Sequence, residues 1–227
     1  MKYFGEIMTL TNFNEFKKVF KRIPKERLPF VRFIPLRQDS KNPLLRGNWK
    51  LINLTYYEIK KNMNMGINTA VVCLPKGVMV WDFDIDENGK LYEPELAKEL
   101  LQTKTLTVET RSKGLHFYFL NDGKYNTQDR RINNSNIGEL RANWSYVVGA
   151  GSWVDLHDGH EGQYRVVQDE PILSLPEKYK DYFKEGDTTT PQNNILAGKK
   201  GKPISEKTLK IMIAAGMVSI HGRWVRL

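Results

Sequence analysis

Apolar residues Phe13, Phe16, Val19, Phe20 and Ile23 recur at three- and four-residue spacing in "NFNEFKKVFKRI", the period of a helix with one buried face and a lysine-rich outer face. "PFVRFIPLR" then reads as a short strand and "QDSKNPLLRGNW" as a loop of turn formers. From Met65 to Asp84 the period changes: "INTAVVCL" and "GVMVWDFD" are β-rich stretches separated by Pro75-Lys76-Gly77, a connector short enough to predict a hairpin. "PELAKELLQT" is a short helix with Pro94 at its first turn. "TLTVETR" and "LHFYFL", joined by Ser112-Lys113-Gly114, predict an antiparallel pair. "NIGELRANWSYVVGAGSWV" and "GQYRVV" add further strands. Helices interspersed with hairpins place the chain in the α+β class.

The turn-rich "KEGDTTTPQNN" is the best linker candidate. Beyond it, "SEKTLKIMIAAG" reads as a helix started by Ser205 and stopped by Gly216, followed by two short strands about His221-Gly222. The expected division is a main domain over residues 1–180, a linker over 181–204, and a helix plus basic hairpin over 205–227. That last piece resembles the end of a winged helix-turn-helix, or a packing appendage.

Length and composition narrow the classes. A chain of 227 residues holds one sizeable core with at most a small appendage. Its single cysteine, Cys73, excludes an intramolecular disulfide and any cysteine-built zinc or iron-sulfur site. No run reaches the length of a membrane span, and "MKYFGEIMTL" lacks the continuous apolar stretch of a signal peptide, so a cytoplasmic protein with no membrane partner is expected. The net charge of +9 is unevenly spread: residues 1–60 hold 13 Lys/Arg against 5 Asp/Glu, and residues 198–227 hold 7 against 1. The segment between is acidic. Basic ends around an acidic centre suit a protein that attracts a polyanion while keeping carboxylates for divalent cations, and equally a surface of solvated lysines. No P-loop signature or internal repeat is present, so nothing indicates an attached helicase motor.

The chemistry concentrates in "VWDFDIDENGKLYEPE", residues 80–95, which supports two metal readings. From Asp84 the letters fit a helix-loop-helix calcium loop, with Asp84, Asp86 and Asn88 as ligands, Gly89 at the turn and Glu95 closing. The entering segment "GVMVWDF" is β-branched and aromatic, however, and no second loop accompanies it. Read as a strand, Asp82 and Asp84 share one face while Trp81 and Phe83 pack on the other. Two carboxylates so close repel unless a cation sits between them. A strand running into an acidic solvated turn would give the same letters.

"TRSKGLHFYF" places Ser112 and His116 about Gly114, where a hydroxyl, a bare amide and an imidazole could grip a triphosphate. "IGELRANWSYVVGAGS" puts Glu139 and Arg141 on one strand face: a carboxylate for a metal and a guanidinium for a phosphate, or a cross-strand salt bridge. Trp144 and Trp153 could stack on bases, although core positions explain them more simply. His157, Asp158, His160 and Glu161 in "DLHDGHEGQ" can be drawn as a metal cluster, and a polar loop accounts for them more economically.

The ordered set Asp-x-Asp, Ser-x-Gly-x-His, Glu-x-Arg resembles the primase-polymerase family of plasmid, viral and mobile-element replication proteins, a branch of the archaeo-eukaryotic primase superfamily. "IPLRQDSKNPLLRGNW", "MGINTAVV" and "YVVGAGSWV" followed by Tyr164 extend the resemblance over roughly residues 30–170. Glu139 stands where relatives often carry aspartate, and "VVGAGS" lacks a proline common there. The resemblance implies an RNA-recognition-motif-like mixed β-sheet flanked by helices, and a DNA primase or polymerase with nucleotidyltransferase chemistry. It implies that Asp82, Asp84 and Glu139 are catalytic and hold two Mg²⁺ or Mn²⁺ ions, on the order of 3.5–4 Å apart. Ser112, Gly114, His116, Arg141 and Lys41 would bind a dNTP or rNTP. Lys113, Arg130 and Arg131 would contact a single-stranded DNA template or primer-template, and a replicative helicase would be a partner. A non-catalytic replication initiator or single-strand-binding protein would need the basic ends but none of the carboxylates. A rolling-circle nicking enzyme is excluded because "HFY" at 116–118 lacks the second histidine of its metal pair.

Overall fold

The computed structural model describes residues 11–45, 49–132 and 135–186, the side chains of 129–137 excepted. In chain order it contains α1 (Phe13–Arg22), β1 (Val31–Pro35), α2 (Tyr56–Asn64), β2 (Thr69–Cys73), β3 (Val78–Phe83), α3 (Pro94–Leu101), β4 (Thr107–Glu109), β5 (Leu115–Leu120), β6 (Gln128–Ile132), β7 (Ser135–Arg141), β8 (Ser145–Val148), β9 (Trp153–Val154), β10 (Gly162–Gln163), β11 (Arg165–Gln168) and β12 (Leu173–Ser174). The class is α+β, with several antiparallel sheets and few helices. Residues 205–227, expected as a helix and basic hairpin, and most of the 181–204 linker lie outside the described residues.

The largest sheet runs β11-β4-β5-β3-β7-β6, with β12 alongside β5 in parallel. A smaller sheet runs β1-β2-β8, and β9 pairs with β10. The expected β4–β5 hairpin is present, closed by the Thr110 N–H donating to the Gly114 carbonyl at 2.8 Å. The expected β2–β3 hairpin is not. β2 has β1 and β8 on its two edges, and β3 has β5 and β7, so neither strand has an edge free for the other. The short connector instead carries the chain from one sheet to the next. Arg27 donates to the Lys76 carbonyl at 3.0 Å, and the Asn121 amide to the Gly77 carbonyl at 3.0 Å. Gly77 is required here because a Cβ would lie 2.1 Å from the Phe30 carbonyl oxygen.

α2 escaped the sequence reading because its buried residues are sparse: Ile59, Asn62 and Met63. Its start is nevertheless well specified. Thr55 and Glu58 form a reciprocal capping box that satisfies two otherwise orphaned backbone amides.

Alternation along β3 divides the core in two. Val78 and Val80, with Val108 and Tyr118, face the smaller sheet and α1 in one buried cluster. Met79, Trp81 and Phe83, with Phe117 and Leu140, face α3 and the turn Glu177–Tyr182 in the other. Phe183 stands edge-on to Trp81 with centroids 4.7 Å apart. Burying side chains of this size is worth about 2–3 kcal/mol each. An isolated bridge between Tyr125 and Glu185 ties the chain past residue 180 to the same body.

Candidate active site

The polar site forms where the β5-β3-β7 ladder runs out of its core. Asp82 is directly opposite His116 on β5 and Glu139 on β7, and Val80, one step back, is opposite Tyr118 and Arg141. Side chains in register across neighbouring strands share a face, so His116, Asp82, Glu139 and Arg141 converge just beyond the apolar rung of Val80 and Tyr118. Gly138 makes the approach possible: it has φ +95, and a Cβ there would meet the Asp82 carbonyl oxygen at 1.9 Å.

His116 Nε2 lies 3.2 Å from Asp82 Oδ1, and Arg141 Nε lies 3.9 Å from Asp82 Oδ2. The Arg141 guanidinium also pairs with Glu139 at 2.5 Å. Burial alone would raise the Asp82 pKa, but His116, Arg141 and Lys41 outweigh it and hold the carboxyl below its ordinary value. Asp84, just past the end of β3, moves the other way: desolvation and the neighbouring Asp82 charge raise its pKa. The two carboxylates are therefore close enough to repel, as the strand alternation predicts. Lys41 is exposed over most of its length, yet desolvation and the nearby Arg111 lower its pKa while Asp82 and Asp84 oppose them.

The calcium-loop letters take a different shape. β3 is a strand, so the entering helix is missing. Residues 85–91 close on themselves through an Ile85–Leu91 bridge, with Asp86 Oδ1 accepting from the Asn88 and Lys90 amides at 2.9 and 2.8 Å.

At the β4–β5 turn, Ser112 Oγ is 3.3 Å from Thr110 Oγ1. Gly114 is explained by packing, since a Cβ would sit 2.4 Å from the Phe83 carbonyl oxygen. Lys113 has φ 72, and its ammonium is 2.7 Å from Glu109. Arg130 and Arg131 lie on β6, the strand beside β7. Trp153 is fixed by its backbone, which donates to Asn68 Oδ1 at 2.8 Å. Buried Asn68 also donates to the Ser40 carbonyl at 3.4 Å, tethering the loop that carries Lys41.

One residue that the sequence reading passed over belongs to this site. The Arg111 side chain is only 5% exposed, and it grips Asp158 with two parallel bonds of 2.7 and 2.6 Å. It also donates to the His160 carbonyl. The pairing drives the Asp158 pKa far down and ties the 155–161 loop to Arg111. That explains "DLHDGHEGQ" as a structured polar loop. The arginine was visible in "TRSKG", but a partner 47 residues away cannot be paired from sequence. Tyr164 completes the wall, with its ring 5.6 Å from His116.

In donor chemistry, Asp82, Asp84 and Glu139 suit a hard divalent cation, and the Asp82–Asp84 repulsion marks where positive charge would be favoured. Glu139, however, is turned onto Arg141, and among the described residues no three His, Cys, Asp or Glu side chains converge as a ready metal cage. Lys41 and Arg141 bring positive charge to the carboxylates, with Arg111 near Lys41 and paired to Asp158.

The site is thus a carboxylate pair at the end of an antiparallel strand, flanked by imidazole, guanidinium and ammonium groups, in an α+β domain. The family model for the bifunctional DNA primase/polymerase N-terminal domain matches residues 30–178, and the chain belongs to that family. Membership implies DNA primase/polymerase activity in replication, with DNA and nucleotides as substrates. No curated protein matches the chain. No helix among the described residues is long and apolar enough to cross a membrane.

Proposed function

We propose that this chain carries out template-directed nucleotidyl transfer, as a DNA primase, a DNA polymerase or both. The observation that carries the reading is the alignment of His116, Asp82 and Glu139 across three adjacent strands, with Asp84, Lys41 and Arg111 closing around them. Asp82, Asp84 and Glu139 would hold Mg²⁺ or Mn²⁺, with Glu139 exchanging Arg141 for the metal. When bound, two divalent ions supply the chemistry of lowering the 3′-hydroxyl pKa and neutralising the triphosphate and departing pyrophosphate.

The chain's own residues do the rest. Arg141, released from Glu139, and Lys41 offer positive charge to the triphosphate as negative charge develops in the transition state. Ser112 and the Gly114 amide supply neutral donors. His116 is held in a buried position with Nε2 on Asp82, and its buried Nδ1 has no protein hydrogen-bond partner, so its part in nucleotide binding would be to position Asp82. Arg111 would join this set by exchanging Asp158 for a phosphate, since the paired donors that hold a carboxylate match a phosphate as well. Template phosphates would meet Lys113, Arg130 and Arg131. The RNA-recognition-motif-like character of the large sheet is part of this reading and is supported by the placement of Asp82 and Glu139 on adjoining strands. The replicon, a plasmid, virus or mobile element, and a helicase partner rest on the sequence resemblance.

The test is incorporation of labelled nucleotide on single-stranded template with Mg²⁺ or Mn²⁺, with and without primer, beside Asp82→Ala/Asp84→Ala. Metal-dependent product that vanishes in the variant supports the reading, and unprimed product adds priming. The Glu139–Arg141 pair favours one second reading, a non-catalytic single-strand-binding member. It would give no product under any condition, and the double variant would keep its DNA affinity.

A further inference from the structure

The smaller sheet has a surface that the carboxylate site does not use. Arg32 on β1 and Tyr146 on β8 both stand in register with Val72 on β2 and so share one face. Trp49 meets Tyr146 edge-on, with centroids 5.1 Å apart. Trp144, in the tight turn between β7 and β8, has the Arg32 guanidinium 5.2 Å and the Lys50 ammonium 5.8 Å from its ring centre. Lys50 also stands 5.4 Å from the Trp49 ring, and Arg32 is anchored on the Lys50 carbonyl at 2.6 Å. All three rings are half-buried. Among the described residues no carboxylate pairs with Arg32 or Lys50.

Trp144 has φ 56, a left-handed conformation that is strained for a bulky side chain and easy for glycine or asparagine. Asn143 immediately precedes it. The turn itself is closed by Ser145, whose amide and hydroxyl both donate to the Ala142 carbonyl. Glycine or asparagine at 144 would hold the same turn with less strain, and the indole that stands there packs one side against the core while remaining half-buried.

The patch runs into the candidate active site. Tyr146 donates its hydroxyl to the Lys41 carbonyl at 3.3 Å, and Lys41 feels the charges of Asp82 and Asp84. Several aromatic faces interleaved with cations are the chemistry of a single-stranded nucleic acid track: bases stack on rings and phosphates meet cations. Three rings and two cations exceed what one nucleotide needs.

We propose that Trp49, Trp144 and Tyr146, with Arg32 and Lys50, form a stacking platform that leads single-stranded DNA toward Asp82. The role of that strand as template rests on the polymerase reading, whereas the binding itself does not. The probe is a labelled oligothymidylate, its anisotropy followed with the full chain in EDTA and without nucleotide. Trp144→Gly, which relaxes the turn, and Trp49→Ala should each weaken binding roughly 5- to 100-fold, while Trp144→Tyr keeps most of it. Lys50→Ala should lower the slope of log affinity against log salt by about 0.7. Unchanged affinity in both tryptophan variants, with thermal midpoints showing them folded, overturns the platform. If nucleotide incorporation then still proceeds, the polymerase reading survives its loss. If the tryptophan variants lose DNA while the wild type incorporates nothing with either metal, the platform stands and the polymerase reading falls.

Discussion

The two faces of β3 answer opposite demands within six residues. On one face Trp81 and Phe83 are fully covered by aromatic neighbours and α3. On the other, Val80 gives way to Asp82, which is held half-buried by His116 and Arg141 and repelled by Asp84. The first face stabilises by removing apolar area from water. The second gathers charges of mixed effect: Asp82 is favoured by its cationic neighbours, whereas desolvation and the Asp82 charge work against ionised Asp84. Stability and function are therefore assigned to alternate residues of a single strand, and substitutions of neighbours should separate them.

The sharpest contrast is between Trp81→Ala and Asp82→Asn. Trp81→Ala should cost about 3–5 kcal/mol, read from urea unfolding, with activity per folded molecule largely kept. Asp82→Asn should reduce nucleotide incorporation by more than about 10³-fold with only a small change in unfolding midpoint. Equal losses of both properties in both variants would break the division.

Arg111→Ala should come next, raising the KM for nucleotide on the order of 10- to 100-fold with a smaller effect on kcat. Arg111→Lys should rescue it poorly, because a lysine cannot reproduce the paired donors. Gly138→Ala should lose about 1–3 kcal/mol and also activity, since its Cβ would collide with the Asp82 carbonyl oxygen at 1.9 Å.

The smallest effects are electrostatic and opposite in sign. Asp82 has a depressed folded-state pKa, so it contributes stability above the ordinary aspartate value, lost as pH falls through the depressed one. Asp84 is raised, so its ionised form opposes folding above that raised value. The opposition is relieved as pH falls through it and is gone below the ordinary value. Asp84→Asn should therefore raise the thermal midpoint at neutral pH by roughly 1–3 °C, with the gain disappearing in acid, while activity is lost. A midpoint that falls at neutral pH would mean Asp84 is a structural acceptor rather than a strained ligand.

Much of this was legible because it is local. The spacing of Phe16 and Val19 specified α1, Pro94 marked the start of α3, and alternation from Val78 to Phe83 separated the aromatic face from the carboxylates. Asp82 with Asp84, and Glu139 with Arg141, were singled out because strand periodicity puts residues two apart on one face, and His116 was read with Ser112 about the Gly114 turn. What escaped was long-range. The Pro75–Gly77 connector satisfies hairpin chemistry on its own, yet both edges of β2 and β3 are taken by other strands. Arg111 finds Asp158, and Trp49 finds Tyr146, across separations that no local period encodes.

The sequence by itself determined which residues alternate, where turns fall, that no intramolecular disulfide or cysteine-built metal cluster is possible, and that a carboxylate pair ends an apolar strand. These follow from backbone geometry and side-chain type over a few residues. Tertiary structure alone decided that β3 lies between β5 and β7, so that Asp82 faces His116 and Glu139 together. It also turned Arg141 onto Glu139 and brought Arg32 and Lys50 over the tryptophan rings. Those choices depend on which surfaces can be buried together and which charges must find partners, and that competition is settled only when the whole chain is packed.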